Sequence, residues 1–381
     1  MDAIPLVHAS LGERELAAVA EVFASGWPAG QGPQGKALEA RLAAEYMVGD
    51  AVAVSNCGAA LHLAMLALGW GPATRSSSPT TVSRRPPRPP ATSGPPRLRR
   101  RTPRHLHRRP AGGGRPGHPR TAGIIAVDTV GLPADYTELQ EIADRHGLFL
   151  VEDAACAVGA TYQGAKAGAL AEVGCLSFHG RKGASSGEGG ALLASDPEIG
   201  KDARLRSSFG IGSIFDMGNV VGLPIPVFTE IGYNFKLSDI AAAILQVQLG
   251  RIGELLARRS AVAAQYGELL AGEDLLTLPH VPADRTHAWQ TYMVTLDERV
   301  ERGAVATALR AQGIGCGHGT FAGHTQPVFD AKQTCPVSLD LATRQLAIPM
   351  HAELTQDQVT RVAHTLREAV HAHAGTARRA A

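Results

Sequence analysis

LSFHGRKGASSGEGG, residues 176–190, ends one short apolar run and leads into another. CLSF (175–178) and ALLAS (191–195) read as buried strands, and the glycines and serines between them read as a loop. That loop carries Lys182, one of only six lysines in 381 residues. Working outward, LFLVEDAA (148–155) and GIIAV (123–127) are further strand candidates, with GLPADYTELQEIADRHG between them as loop and helix. AVAVSN (51–56) reads as a short strand, after which Gly58 opens the apolar helix GAALHLAMLALGW. Short apolar strands alternating with helices predict an α/β fold, a mainly parallel sheet sandwiched by helices.

Beyond this centre the pattern is helical. Leu16, Val19 and Phe23 recur at helical spacing within LGERELAAVAEVFA (11–24), and KALEARLAAEYM follows a Gly/Pro loop. From Ser238, DIAAAILQVQLGRIGELLARR reads as one long helix that leaves a large domain (1–250) for a smaller α+β C-terminal domain (251–373). There, residues 290–296 read as a strand and ERGAVATALRAQG as a helix. The last helix starts at Thr355 with Gln358 three residues on, a capping-box pattern, and Val359, Val362, Ala363, Leu366 and Val370 form its apolar stripe. Residues 374–381 form a tail expected to fray.

Composition narrows the function classes. The chain is 44% hydrophobic and 19% charged, enough for a substantial core. No run of 18 apolar residues occurs and the N-terminus lacks a basic region followed by an apolar one, so the expectation is a cytoplasmic protein without a membrane span. Five scattered cysteines with no CxxC spacing suggest neither a disulfide framework nor a metal site. Residues 73–120 hold 13 Arg and no Asp, Glu or Lys, which leaves 24 basic against 35 acidic residues elsewhere, a net charge of −11. A nucleic-acid surface is therefore not a property of the whole chain and is not expected.

Four stretches carry the chemistry: VSNCGAALHLA (54–64), LVEDAACAVGA (150–160), LSFHGRKGASSGEGG (176–190) and GYNFKLSD (232–239). In this order, with SFH, RK and GEGG at this spacing and EDAA upstream, the chain resembles the DegT/StrS-type sugar aminotransferases of fold type I, which use pyridoxal 5'-phosphate. The resemblance implies that Lys182 forms the Schiff base and shuttles the proton, and that Asp153 keeps the pyridine nitrogen protonated. It implies a phosphate cradle of Gly58 and Ala59 amides, the Ser177 hydroxyl and Asn234, the last reaching a neighbouring subunit's site in a homodimer with shared active sites. Cys156 stands where many relatives carry Gln or His near the cofactor ring; it is either a cofactor contact or a small core residue. His179 and His324 also fall in motif positions. Gly180 replaces a common Pro and Lys236 a usual Arg. The implied reaction moves an amino group from glutamate or glutamine to a keto-sugar, often nucleotide-linked, in sugar or antibiotic biosynthesis. Cyclitol or amino-aromatic formation are alternatives within the family. Related dehydratases carry His in place of the lysine, so Lys182 favours transamination.

One segment departs from this pattern. After LALGxGP the family reads Gly-Asp-Glu-Val-Ile-Val-Pro and then an aromatic that covers the cofactor ring; here Pro72 is followed by Ala-Thr-Arg-Ser-Ser-Ser-Pro. The string GCG ACG AGG TCA TCG TCC CC encodes the latter, and prefixing one G makes it encode the former. Residues 73–120 also lack Ile, Phe, Tyr, Trp, Met, Asn and Gln, as a GC-rich gene read out of frame would. The expectation is a double frameshift over about 73–118, whose Arg/Pro-rich product builds no core and leaves the written chain short of a strand and an aromatic lid. A non-catalytic relic is the reading from another class.

Overall fold

The computed structural model describes residues 2–70, 75–77, 121–211, 226–329 and 334–375. The larger sheet is built from β1 (Asp50–Val54), β2 (Arg75–Ser77), β3 (Thr121–Val127), β4 (Phe149–Asp153), β7 (Val173–Ser177) and β8 (Gly190–Ala194), in the order β1-β8-β7-β4-β3-β2. β2–β3, β3–β4 and β4–β7 pair in parallel, and β8 runs antiparallel to both its neighbours. Five strands thus share one direction and only β8 opposes them, which is the mainly parallel sheet the alternation predicts. Between β4 and β7 a small hairpin, β5 (Thr161–Tyr162) and β6 (Ala165–Lys166), stands apart. The edge position expected to be empty is filled: residues 75–77 of the Arg/Pro-rich window supply β2. The remainder of that window, 73–74 and 78–120, and the aromatic lid expected in it lie outside the described residues.

Strand alternation explains why both faces are covered. Ala51, Ala53, Leu176, Phe178, Ala191 and Leu193 point to one side, against Leu38, Leu42 and Tyr46 of α2 (Pro33–Tyr46) and Ala242, Leu245 and Leu249 of α6 (Asp239–Gly250). Val52, Val54, Ile125, Val151, Val173 and Leu192 point to the other, against α3 (Cys57–Ala67) and α5 (Pro197–Ser207). Ile124, Ala126 and Leu150 pack on Tyr136 and Ala143 of α4 (Tyr136–His146).

Two helical expectations change. α1 (Glu13–Ser25) buries Glu15 and Val22, while Leu16 and Phe23 are 62% and 63% exposed. The apolar stripe faces outward because the inward face is polar: Glu15 accepts hydrogen bonds from Gly12 N–H at 2.8 Å and from Gln248 Nε2 at 2.7 Å. The long helix from Ser238 is two, α6 and α7 (Ile252–Leu269), bent by 62° at Arg251. No single helix among the described residues is long and apolar enough to cross a membrane.

A second sheet, β11 (Gly317–His318), β12 (Gln345–Ile348), β10 (Tyr292–Leu296) and β9 (Leu276–Thr277), is antiparallel throughout. Val262 and Tyr266 of α7, Val305 and Leu309 of α8 (Arg302–Ala311), and Val359, Val362 and Leu366 of α10 (Gln356–Ala372) form its core, joined by Ile4. α9 (Pro336–Arg344) leads into β12. The capping box of α10 forms as read, Thr355 and Gln358 bonding each other's backbone N–H.

Candidate active site

β1, β3, β4 and β7 run in one direction, so the segments that leave their C-terminal ends meet at one edge of the sheet, where open α/β sheets place their ligands. These segments are the start of α3, the turn 128–131, residues 153–156 and the 177–190 loop. Three of the chemistry-bearing stretches come together through this topology, and the fourth, 232–239, joins them where Lys236 bridges Val54 at the end of β1.

The 177–190 loop is closed on itself by backbone hydrogen bonds: Phe178 N–H to Gly189 O at 2.9 Å, Gly180 N–H to Gly187 O at 2.8 Å and Ser186 N–H to Phe178 O at 3.0 Å. Lys182 sits half-buried in a turn, its N–H bonded to His179 O at 2.8 Å. Its Nζ lies 3.1 Å from Cys156 Sγ. Cys156 is therefore a neighbour of the lysine amine, not a core filler. The His179 ring turns to Glu188, 3.6 Å away, and accepts the Arg181 N–H.

Asp153 ends β4 with only 7% of its surface exposed. Its Oδ1 accepts the Ala155 N–H at 3.1 Å and faces Cys57 Sγ at 3.9 Å. Burial pushes its carboxyl above the ordinary range; the Ala155 N–H, the Lys182 charge and the Cys57 thiol counter only part of that. Such a carboxylate calls for a further cationic donor.

α3 begins where β8 lets it. A Cβ on Gly190 would lie 2.4 Å from Asn56 C and 2.6 Å from Cys57 N, so glycine allows the helix start to sit against the strand, opposite Ser177 in the β7–β8 register. Asn56 caps α3, its side chain accepting the Ala59 N–H at 2.8 Å. Of the two amides expected to cradle phosphate, that of Ala59 is thus already bonded within the chain. The Gly58 amide belongs to the first turn, whose N–H groups the helix ladder leaves over. Ser177 Oγ is buried 3.5 Å from His179 N. Asn234 is exposed, with Oδ1 accepting from Lys236 Nζ at 2.5 Å, on a segment that bridges β1 at Val54. His324 lies in a short turn, Gly323–Thr325.

Three features escaped the sequence reading. Asp128 and Glu152 form a fully buried acid pair beside Asp153, and the Asp128 N–H bonds Asp153 O at 3.1 Å. Val130 and Trp289 adopt left-handed backbone, φ 59° and 48°, conformations costly for side-chain-bearing residues and concentrated at functional sites. The two turns are tied by Ala288 N–H to Gly131 O at 2.8 Å, and a Cβ on Gly131 would lie 3.0 Å from Cys156 O. Finally, Arg259 of α7 is buried against the lysine loop. Only the ED pair stood in a quoted motif, and only its second acid had a role.

Among solved structures, the aminotransferase TlmJ from Streptoalloteichus hindustanus is 29% identical, with 97% of this chain and 99% of that one covered and a TM-score of 0.82. DesV of S. venezuelae is 27% identical over the whole of both chains, TM-score 0.79. The sugar aminotransferase CalS13 from Micromonospora echinospora is 25% identical over 96% of this chain and 99% of that one, TM-score 0.78. The sequence profile of the DegT/DnrJ/EryC1/StrS aminotransferase family matches residues 9–77 and 118–367. With the lysine loop, the buried strand-end aspartate and the glycine-seated helix all inside the matched residues, the chain belongs to the DegT/DnrJ/EryC1/StrS aminotransferase family.

Proposed function

We propose that this aminotransferase moves an amino group from glutamate or glutamine onto a keto-sugar, nucleotide-linked, in sugar or antibiotic biosynthesis. The family uses pyridoxal 5'-phosphate, and the residues present fit it. The observation that carries the reading is the pairing of the Lys182 amine at the site edge with Asp153, a buried carboxylate whose hydrogen bonds among the described residues go to Oδ1 alone. Oδ2 is left for a protonated ring nitrogen, which would relieve the cost of the buried charge. Bound there, the cofactor supplies the electron sink that lets an amino group leave one carbon and join another.

The chain's own residues do the rest. The Lys182 amine would hold the cofactor and, once released, would take up and return a proton at Nζ. Asp153 holds the proton on the ring nitrogen. The Gly58 amide and the Ser177 hydroxyl receive the phosphate, and the Cys156 thiol lies against the lysine amine. Asn234, exposed on its own protomer, serves the phosphate of a second copy, and the outward Leu16 and Phe23 of α1 support a homodimer with shared sites. The likeness to CalS13, a sugar aminotransferase, supports a sugar acceptor. The division into a large domain 1–250 and a small one 251–373 is part of the same reading.

A panel of keto-sugars with glutamate or glutamine tests it. The expected result is transfer to at least one sugar, and a visible band from lysine-linked cofactor that Lys182→Ala abolishes. Retention of that band in Lys182→Ala would overturn the assignment. The relic reading is favoured by one observation, the break in the family match over residues 78–117; a purified chain that binds no cofactor at all would support it.

A further inference from the structure

Among the described residues, the buried guanidinium of Arg259 has no acid to meet it. The residue is 4% exposed on α7, it enters no ion pair among the described residues, and its Nε is buried without a partner. Its two hydrogen bonds go to main-chain carbonyls, Nη1 to Trp289 O at 2.8 Å and Nη2 to Lys182 O at 3.4 Å, the latter at the long end of hydrogen bonding. Burying an unpaired cation is costly, and burial alone lowers its pKa to about 10. An apolar side chain of the same length would fill the space at less cost. What only the planar fork provides is two donors fixed in one plane toward two different segments.

Those segments are the two walls of the site. The lysine loop is fastened at successive residues: Gln290 Nε2 donates to Arg181 O at 3.2 Å, and Arg259 joins Lys182 O to Trp289 O. The 287–291 segment is itself held by the Gly131 turn and carries the left-handed Trp289, stacked on His287 at 4.0 Å. Its conformation is fixed by its surroundings. We infer that Arg259 is a positioning residue for the aminotransferase reaction, clamping the backbone of Lys182 to the Trp289 turn so that the lysine amine keeps its place opposite Asp153. This rests on the reading of Lys182 as the cofactor-linking lysine.

The test compares wild type, Arg259→Lys and Arg259→Met by hydrogen exchange on the cofactor-free protein and by the rate at which added pyridoxal phosphate becomes linked, trapped by borohydride and located by peptide mass. In Arg259→Met, exchange in 179–187 and 287–291 should rise by about tenfold or more while the small sheet keeps its protection. Linkage at Lys182 should slow by on the order of 10- to 100-fold, the scale of a small misplacement of a reacting group. Arg259→Lys, which reaches one carbonyl at a time, should fall between. Wild-type exchange in both segments together with wild-type linkage would overturn the inference. So would faster exchange spread evenly over α7 and the small sheet, since Arg259 would then be a core stabiliser only. Lys182→Ala run alongside separates the two readings: persistent linkage elsewhere sinks the lysine assignment and leaves the exchange result on Arg259 standing.

Discussion

Asp128 and Glu152 are both 0% exposed at the ends of neighbouring strands, directly behind Asp153. Glu152 accepts the N–H groups of Gly168 and Leu170, at 2.5 and 2.8 Å; Asp128 Oδ1 accepts the Ala134 N–H and the Tyr136 hydroxyl, at 3.0 and 2.9 Å. Asp128 Oδ2 is buried with no N–H or hydroxyl partner among the described residues, which makes it the place for a proton shared with Glu152. Burial first, and for Glu152 the neighbouring Asp128 charge next, push both carboxyls up. A carboxyl whose folded pKa is raised contributes stability at low pH that is lost as pH climbs through the folded value. Stability should therefore decline from about pH 5 upward through neutrality, by up to ~1.4 kcal/mol per pH unit for one unmatched proton. Asp128→Asn keeps the acceptor for Tyr136 and offers Glu152 an N–H in place of the shared proton. Urea midpoints from about pH 5 to about pH 9 should fall less in this variant than in wild type; parallel curves would refute the shared proton. In the sequence these acids look like any others, because a proton held between two side chains depends on strand pairing, not on spacing along the chain.

The α10 and β8 elements mark the two ends of what the sequence made legible. In α10 the capping box and all five stripe residues were readable, because cap and stripe are local and the helix lies on one apolar surface. In α1 the same periodicity misled, since Glu15 reaches inward to Gln248 on a distant helix and turns Leu16 and Phe23 outward. The α6–α7 bend was hidden for a similar reason: Arg251 closes one helix and opens the next with a tertiary contact to Glu15 at 3.5 Å and a local one to Glu254 at 3.3 Å, and the only mark in the sequence is the spaced Gly250 and Gly253 on either side, with no Pro between them. The site was legible as a glycine-rich motif, yet the reason for one glycine was not. Gly190 needs no unusual φ; it needs space, since Asn56 C would lie 2.4 Å from its Cβ. Gly190→Ala should therefore shift the start of α3 and cost ~1–3 kcal/mol of stability, as overpacking does. Because Cys57 and Gly58 move with it, affinity for pyridoxal phosphate should drop by ~10-fold or more, about 1.4 kcal/mol. Spectroscopic titration of cofactor into both proteins checks this; a stable variant with unchanged affinity would show that the helix start takes no part in binding.

At the scale of the molecule, the family match breaks between residues 77 and 118, inside a window that holds 13 of the chain's arginines and none of its acids. β2 emerges from the edge of this window and extends the large sheet beyond β3, but it is three residues long and reads Arg-Ser-Ser. In the codons that link this stretch to the family's, one nucleotide restored would write Val-Ile-Val over residues 76–78, the residues a strand beside the apolar β3 calls for. Burying two such side chains is worth ~1.5–3 kcal/mol each, so the restored edge should add roughly 3–6 kcal/mol. At ~2–4 °C per kcal/mol for a domain of this size, the unfolding midpoint of a chain with the frame restored over 73–118 should lie on the order of 10 °C above that of the written one. Restoration should also strengthen cofactor retention, since the resemblance puts the ring-covering aromatic in the same segment. Calorimetry and gel filtration of the two cofactor-loaded chains measure both effects. Equal midpoints and equal retention would mean that the Arg/Pro-rich segment is a working part of this protein; a gap in both would mean that the larger sheet is arranged around an apolar edge strand, whose place the Arg-Ser-Ser of β2 now takes, and around a ring cover.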